Sequence, residues 1–141
     1  MDREKLERSW SKLKAEPTDS LLILSDNGQG RIWLEQARKA GLATIVYIDN
    51  DAERCRKTAQ ALSLAYFGGE ESMEALASEA SHGYGLTKAV VAQDKLDSVD
   101  KVIGVLAKGS TLMLDSADPN PPDLDLSTTR LHYDQLTICS A

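Results

Sequence analysis

Aromatic residues make up only 5% of this 141-residue chain, and there is a single phenylalanine, so the core has to be built from Leu, Ile, Val and Ala. No apolar run approaches the ~20 residues that cross a bilayer. The N-terminus, Met1-Asp2-Arg3-Glu4-Lys5, is charged, which argues against a secretory signal. Positive charge is scarce: 16 Lys and Arg face 22 Asp and Glu, for a net −6. Such a chain is a poor non-specific binder of nucleic acid. Cysteine is limited to Cys55 and Cys139, in unlike contexts and outside any metal-ligand spacing, so the expectation is reduced thiols in a cytoplasmic protein with no metal site. Repeats and low-complexity tracts are lacking. The length fits one domain, 1–141, with residues 1–16 forming a helix that leads into it.

What is there is an alternation of short apolar strands and amphipathic helices. Residues 2–14 carry Leu6, Trp10 and Leu13 at helical spacing. Pro17-Thr18-Asp19 is a turn, and Leu21–Leu24 is the first strand. A helix is predicted from Arg31 to Ala40, ended by Gly41. The second strand is Thr44–Ile48. Asn50 caps the next helix, with Glu53 as its reciprocal partner, and Ala52, Cys55, Ala59 and Leu62 form its buried stripe. Leu64–Phe67 is a third strand, and Gly68-Gly69 leads to a helix near Glu71–Ser81. Ala89–Ala92 is the fourth strand. A helix bearing Val99, Val102, Ile103 and Leu106 runs to Lys108-Gly109, and Thr111–Leu114 is the fifth strand. After a Pro- and Asp-rich loop over 115–126, a last strand occupies Leu131–Ile138. This order predicts an α/β fold: a doubly wound, mostly parallel, six-stranded Rossmann-like sheet with helices on both faces.

Chemistry concentrates between Ser20 and Asp49. Strand, Gly-containing turn, helix and second strand ending in an acid make up the first βαβ unit of a dinucleotide-binding fold. There, phosphates meet a helix N-terminus and the acid takes a ribose. Asp49 stands 19 residues beyond Gly30, near the ~20-residue spacing of the ribose-binding acid. Accepting two ribose hydroxyls would favour NAD over NADP; the bland alternative is a carboxylate stabilised, with Asp51, by the following helix dipole. The turn Asp26-Asn27-Gly28-Gln29-Gly30 offers backbone amides to an anion, and Arg31 adds positive charge. Its alternative is an ordinary βα turn that kept its shape without a ligand.

With these elements in order, the chain resembles the nucleotide-binding domain of the medium-chain dehydrogenase family, the zinc-type alcohol and polyol dehydrogenases. Pro17-Thr18-Asp19 resembles the family's Pro-Gly-Asp before the first strand. Arg54 resembles the basic residue that lies against adenine in polyol dehydrogenases; its alternative, reaching a 2′-phosphate, would cut against the preference for NAD. Lys108-Gly109-Ser110-Thr111 resembles its Gly-Gly turn before strand five. His132-Tyr133 with Leu136-Thr137-Ile138-Cys139-Ser140 resembles its last strand. The resemblance implies NAD as cofactor, contacted by Ser25, Asn27, Gly28, Gln29, Gly30, Asp49, Asn50 and Arg54. It also implies a homodimer paired through the last strand, which as an apolar edge calls for cover.

The departures are equally informative. Counted from the strand end, the three fingerprint glycines fall on Ser25, Asn27 and Gly30; the shifted register, starting on Gly28 and Gly30, would put Trp33 in the close-packing slot. The first register is preferred, with Asn27 as the substitute where φ must be positive. Its side chain stands where pyrophosphate should meet bare backbone. A cost of roughly 1–3 kcal/mol would weaken binding on the order of 10- to 100-fold. The family's catalytic domain, with its Cys and His zinc ligands, has no counterpart here, so no catalytic residue is assigned and a partner domain or chain is implied for turnover.

Other motifs carry less. Tyr84-Gly85-Leu86-Thr87-Lys88 spells Tyr-x-x-x-Lys, but glycines break any helix that would align the pair. His82 and His132 lack a partner fixed in sequence and read as surface or packing residues. Asp115, Asp118, Asp123 and Asp125 are interleaved with Pro119, Pro121 and Pro122, the composition of a solvated loop, in which Ser116 and Ala117 flank the nicotinamide end by position alone. A phosphoacceptor receiver is set aside because Asp26 has no acidic neighbour, and Gly68-Gly69 and Asp115 stand where an aspartate and a lysine are needed. Two readings remain: a Rossmann domain that binds NAD(H) weakly without turnover alone, and a structural or interaction domain that has lost the cofactor.

Overall fold

In the computed structural model, which describes residues 2–116 and 136–141, the first strand lies in the middle of the sheet. β1 (Ser20–Ser25), β2 (Thr44–Ile48), β3 (Tyr66–Gly68), β4 (Leu86–Ala92), β5 (Leu106–Asp115) and β6 (Thr137–Ser140) form one sheet in the order β3-β2-β1-β4-β5-β6. Every pairing is parallel. The chain winds outward from β1 to β3, then crosses back to β4 and continues to β6, which leaves a switch point between β1 and β4.

Leu21, Leu22, Ile23 and Leu24 are buried, as expected of a central strand covered on both faces. One face packs α1 (Arg3–Leu13), α2 (Gly30–Lys39) and α3 (Ala52–Leu62), contributing Leu13, Trp33, Leu34, Ala37, Cys55 and Ala59. The other packs α4 (Met73–Ser81) and α5 (Val99–Ile103), with Met73, Ala77, Val99, Val102 and Ile103. The first helix forms because Asp2 accepts from the Lys5 N–H at 2.7 Å while Leu6, Trp10 and Leu13 line its inner side. Asp19, in the turn before β1, accepts from the Thr87 hydroxyl at 2.9 Å, and the Ser20 N–H donates to Thr87 Oγ1 at 3.0 Å, fixing where β1 and β4 begin.

The α/β class, the doubly wound topology and the bounds of β2 agree with the sequence reading. Several details differ. Asp51, not Asn50, caps α3, accepting from the Arg54 N–H at 3.0 Å. An aspartate one residue nearer the helix can reach the first-turn amides, while Asn50 is drawn to Glu70. Ala52, assigned to the buried stripe of α3, is exposed. The third strand begins at Tyr66, and a 3-10 turn over Glu70–Ser72 precedes α4. α5 stops at Ile103 instead of reaching Lys108. Leu86 N–H donates to Val105 O at 3.0 Å, so the strand ladder takes the segment that helical spacing assigned to the helix. Lys108-Gly109 then lie inside a bulge of β5, where pairing jumps from Leu86↔Leu106 to Lys88↔Thr111. β6 reaches Ser140, two residues beyond the expected Ile138. Residues 117–135, including Ala117, the 118–125 aspartates, His132 and Tyr133, lie outside the described residues.

Candidate functional site

The turn after β1 is shaped by two glycines with different tasks. Gly28 adopts φ +82, so the left-handed residue is Gly28 and not Asn27, a correction to the sequence reading. Asparagine tolerates that conformation, but glycine next door adopts it without steric penalty. Gly30 is the close-approach residue: a Cβ there would stand 2.8 Å from Ser25 Cβ and 2.9 Å from Tyr47 Cε1. That contact supports the register that puts Ser25, Asn27 and Gly30 in the fingerprint slots. Trp33 is free to turn into the core instead, fully buried, with its indole N–H on Asp115 Oδ2 at 2.9 Å.

Two of the amides that the turn offers to an anion are met by the protein itself. Gly30 N–H donates to Ser25 Oγ at 3.0 Å, and Gln29 N–H donates to Asn27 Oδ1 at 3.1 Å. Asn27 Nδ2 extends across the crevice to Asp94 Oδ1 at 3.2 Å. Asn27 therefore places an amide oxygen where a phosphate oxygen would accept. Beneath it, Gln93 donates to Asp26 Oδ2 at 3.3 Å and to Ser98 Oγ at 3.1 Å. Asp26 is pushed above the ordinary carboxylate range, first by burial and then by the charges of Asp97 and Asp94. Asp26, Asp94 and Asp97 thus gather negative charge beside the turn.

Asp49 is the best-held side chain of the region. It is 1% exposed. Arg54 Nε donates to Oδ2 at 2.7 Å and Arg54 Nη2 to Oδ1 at 2.9 Å, a bidentate fork. The Tyr47 hydroxyl donates to Oδ2 at 2.7 Å and the Asp51 N–H to Oδ1 at 3.0 Å. Burial raises the Asp49 pKa, but the Arg54, Tyr47 and Asp51 hydrogen bonds outweigh it and hold the carboxyl below its ordinary range. Burial, followed by the hydrogen bond to Asp49, pushes the Tyr47 hydroxyl well above the ordinary tyrosine value. Asn50 is paired twice with Glu70, through Nδ2 to Oε2 at 2.7 Å and from the Glu70 N–H to Oδ1 at 2.8 Å. A cleft of about 180 Å³ opens beside Asp49, with Phe67 and Arg56 on its walls.

Of the sequence-assigned residues, the structure brings Ser25, Asn27, Gly28, Gln29 and Gly30 together in one turn, and Asp49, Asn50 and Arg54 at the end of β2. Arg54 spends its guanidinium on Asp49, where the resemblance implied adenine. Gln93, Asp94, Asp97 and Ser98 were missed. Their only sequence signal was position, directly after a strand that adjoins β1. Tyr84 is 85% exposed before β4, and Lys88 lies within β4 with Nζ 3.4 Å from Thr111 Oγ1, so the Tyr-x-x-x-Lys spacing brings no pair together on a helix. His82 is exposed at the end of α4. Among the described residues no group of three or more His, Cys, Asp or Glu side chains is arranged for a metal ion.

No protein-family model and no curated protein matches this sequence. Solved structures do match the fold. Benzyl alcohol dehydrogenase from Acinetobacter calcoaceticus superposes with a TM-score of 0.80 at 17% identity, covering 92% of this chain and 36% of that enzyme. The chain has a Rossmann-like fold. A putative zinc-binding dehydrogenase from Sinorhizobium meliloti 1021, solved bound to NADP, matches with a TM-score of 0.80 at 13% identity, over 96% of this chain and 40% of that one. The quinone oxidoreductase from Thermus thermophilus, also solved with NADPH, matches with a TM-score of 0.73 at 20% identity, over 96% and 42%. The chain thus spans well under half the length of these enzymes. Among the described residues no helix is long and apolar enough to cross a membrane.

Proposed function

We propose that this chain is a dehydrogenase-type Rossmann domain that binds NAD(H) weakly and turns over no substrate by itself. The scaffold supports the binding half of that reading. A helix N-terminus follows the central strand, Gly30 lets it approach closely, and a carboxylate closes β2. One observation supports the weakness: both oxygens of Asp49 are already engaged, by Arg54, Tyr47 and the Asp51 amide. A ribose would exchange contacts instead of adding them. A hydrogen bond to a charged group contributes about 1.5–3 kcal/mol, so losing one on binding weakens affinity roughly 10- to 100-fold.

The preference would be for NAD over NADP, because Asp49 and Asp51 together repel a 2′-phosphate. Hydride transfer would require a catalytic domain or chain that supplies the zinc site and substrate pocket. The edge position of β6 supports a homodimer joined along that strand, and light scattering at high protein concentration tests it: a monomer overturns it.

NADH titration followed by fluorescence and calorimetry tests the main reading. Saturable binding at millimolar NADH is expected, weakened a further ~10-fold by Asp49→Asn, which removes a charged acceptor. A flat response at millimolar NADH would leave the second reading, a structural or interaction domain without cofactor. The self-capped amides of Gln29 and Gly30 favour that alternative.

A further inference from the structure

We propose that Asn27 and Asp94 form a clasp between the β1–α2 turn and the β4–α5 loop that a dinucleotide's pyrophosphate must displace, and that this clasp is what weakens its binding. This rests on the reading of that crevice as the NAD(H) site. Ligands of open parallel sheets bind beyond the carboxyl ends of the strands, at the switch point, and here that point lies between β1 and β4.

Three observations converge on it. Asn27 uses both ends of its amide: Oδ1 takes the Gln29 N–H on its own turn, and Nδ2 crosses to Asp94 Oδ1 on the far wall. The far wall is itself fastened, since Ser116 Oγ donates to Asp94 O at 3.0 Å and Gln93 ties Asp26 to Ser98. Finally, the residues around the clasp are acidic. Asp26 feels the charges of both Asp97 and Asp94, so a diphosphate on this turn would meet a negative surrounding, with the Gln29 and Gly30 amides already taken. The clasp opposes the phosphates sterically through Asn27 and electrostatically through Asp94, which weakens dinucleotide binding without abolishing it.

The two contributions are separable. Asp94→Asn keeps an acceptor for Asn27 and removes the charge; Asp94→Ala removes both; Asn27→Gly removes the bridge and bares the turn. Inorganic pyrophosphate and NADH would be titrated calorimetrically against the wild-type chain and these variants. Urea unfolding of Asn27→Gly, Asp94→Ala and the double variant completes a thermodynamic cycle. The expected result is binding of both ligands about 10-fold tighter in Asp94→Ala than in the wild type, with a smaller gain in Asp94→Asn. The cycle should show a coupling of about 3-fold in the unfolding constant. Additive single variants would overturn the clasp. If the wild type binds NADH and no variant binds tighter, the clasp's opposition to the phosphates fails while the weak-binding reading stands. If no protein binds either ligand, both fall, whatever the cycle shows.

Discussion

The indole N–H of Trp33 ends 2.9 Å from Asp115 Oδ2, tying the first turn of α2 to the carboxyl end of β5. Trp33 is completely buried, so its one polar atom needs that partner. Trp33→Phe keeps most of the apolar volume and loses the hydrogen bond to a charged acceptor. Urea unfolding should show a loss of about 1.5–3 kcal/mol, with near-native circular dichroism.

Removing Arg54 leaves a carboxylate that is 1% exposed without its counter-ion. Breaking a buried pair costs about 3–5 kcal/mol. The Arg54 side chain is still 34% exposed, and the Tyr47 hydroxyl and Asp51 amide remain to hold Asp49, so Arg54→Ala is expected to cost less, about 2–3 kcal/mol. Chemical denaturation measures it; a loss below half a kcal/mol would mean the fork contributes no more than an ordinary surface pair.

The two glycines of the β1–α2 turn should respond differently to alanine. Gly28→Ala adds a methyl group in open space but at φ +82, a backbone penalty of about 1–2 kcal/mol. Gly30→Ala drives a Cβ into Ser25 and Tyr47, an overpacking cost of about 1–3 kcal/mol with a displaced helix. Ser25→Gly in the Gly30→Ala background removes one of the two colliding side chains and should recover part of the loss; Gly28→Ala has no such second-site remedy. Thermal melts of the four proteins provide the test.

Asp49 and Asp26 should bend the pH dependence of stability in opposite directions. Asp49, depressed by its hydrogen bonds despite burial, contributes stability that is present above the unfolded value of about 3.9 and lost as pH falls through its lower folded value. Asp26, raised by burial and by Asp97 and Asp94, contributes stability present below about 3.9 and lost as pH rises through its higher folded value. Asp26→Asn should therefore be more stable than the wild type at neutral pH, with the gain shrinking in acid. Asp49→Asn should lose most at neutral pH. Unfolding curves across the acidic range distinguish the two slopes.

Local patterns carried most of the fold into the sequence. Ile45-Val46-Tyr47-Ile48 closing on an acid is short, apolar and β-branched enough to be read as a buried strand, and Gly41 marks the end of the preceding helix. The reading failed where long-range pairing overrode local spacing. Leu106 continues the helical series of Val99, Val102 and Ile103, yet the β4 ladder claims it. The site was legible as a set of positions and not as a state. Ser25 and Asn27 could be recognised in glycine slots, but the far partner of Asn27, Asp94, lies 67 residues away in sequence. The occupancy of Asp49 had a local clue: Tyr47 and Asp49 are two residues apart, the strand period that puts both side chains on one face, and the Tyr47 hydroxyl meets the carboxylate there.

The partnership of β1 with β4 bears on how this protein comes apart. Ser20 and Thr87 bond to each other across 67 residues of chain, so while β2 satisfies one flank of the central strand, the other waits for a strand far along the sequence. A polypeptide cut before Leu86 would bare an oily, hydrogen-bonding flank down the middle of its sheet. Loop closure on that scale slows folding, and it couples the two halves: loosening one strips the other of its lining. Melting should accordingly be a single collapse of the whole, with no half persisting alone.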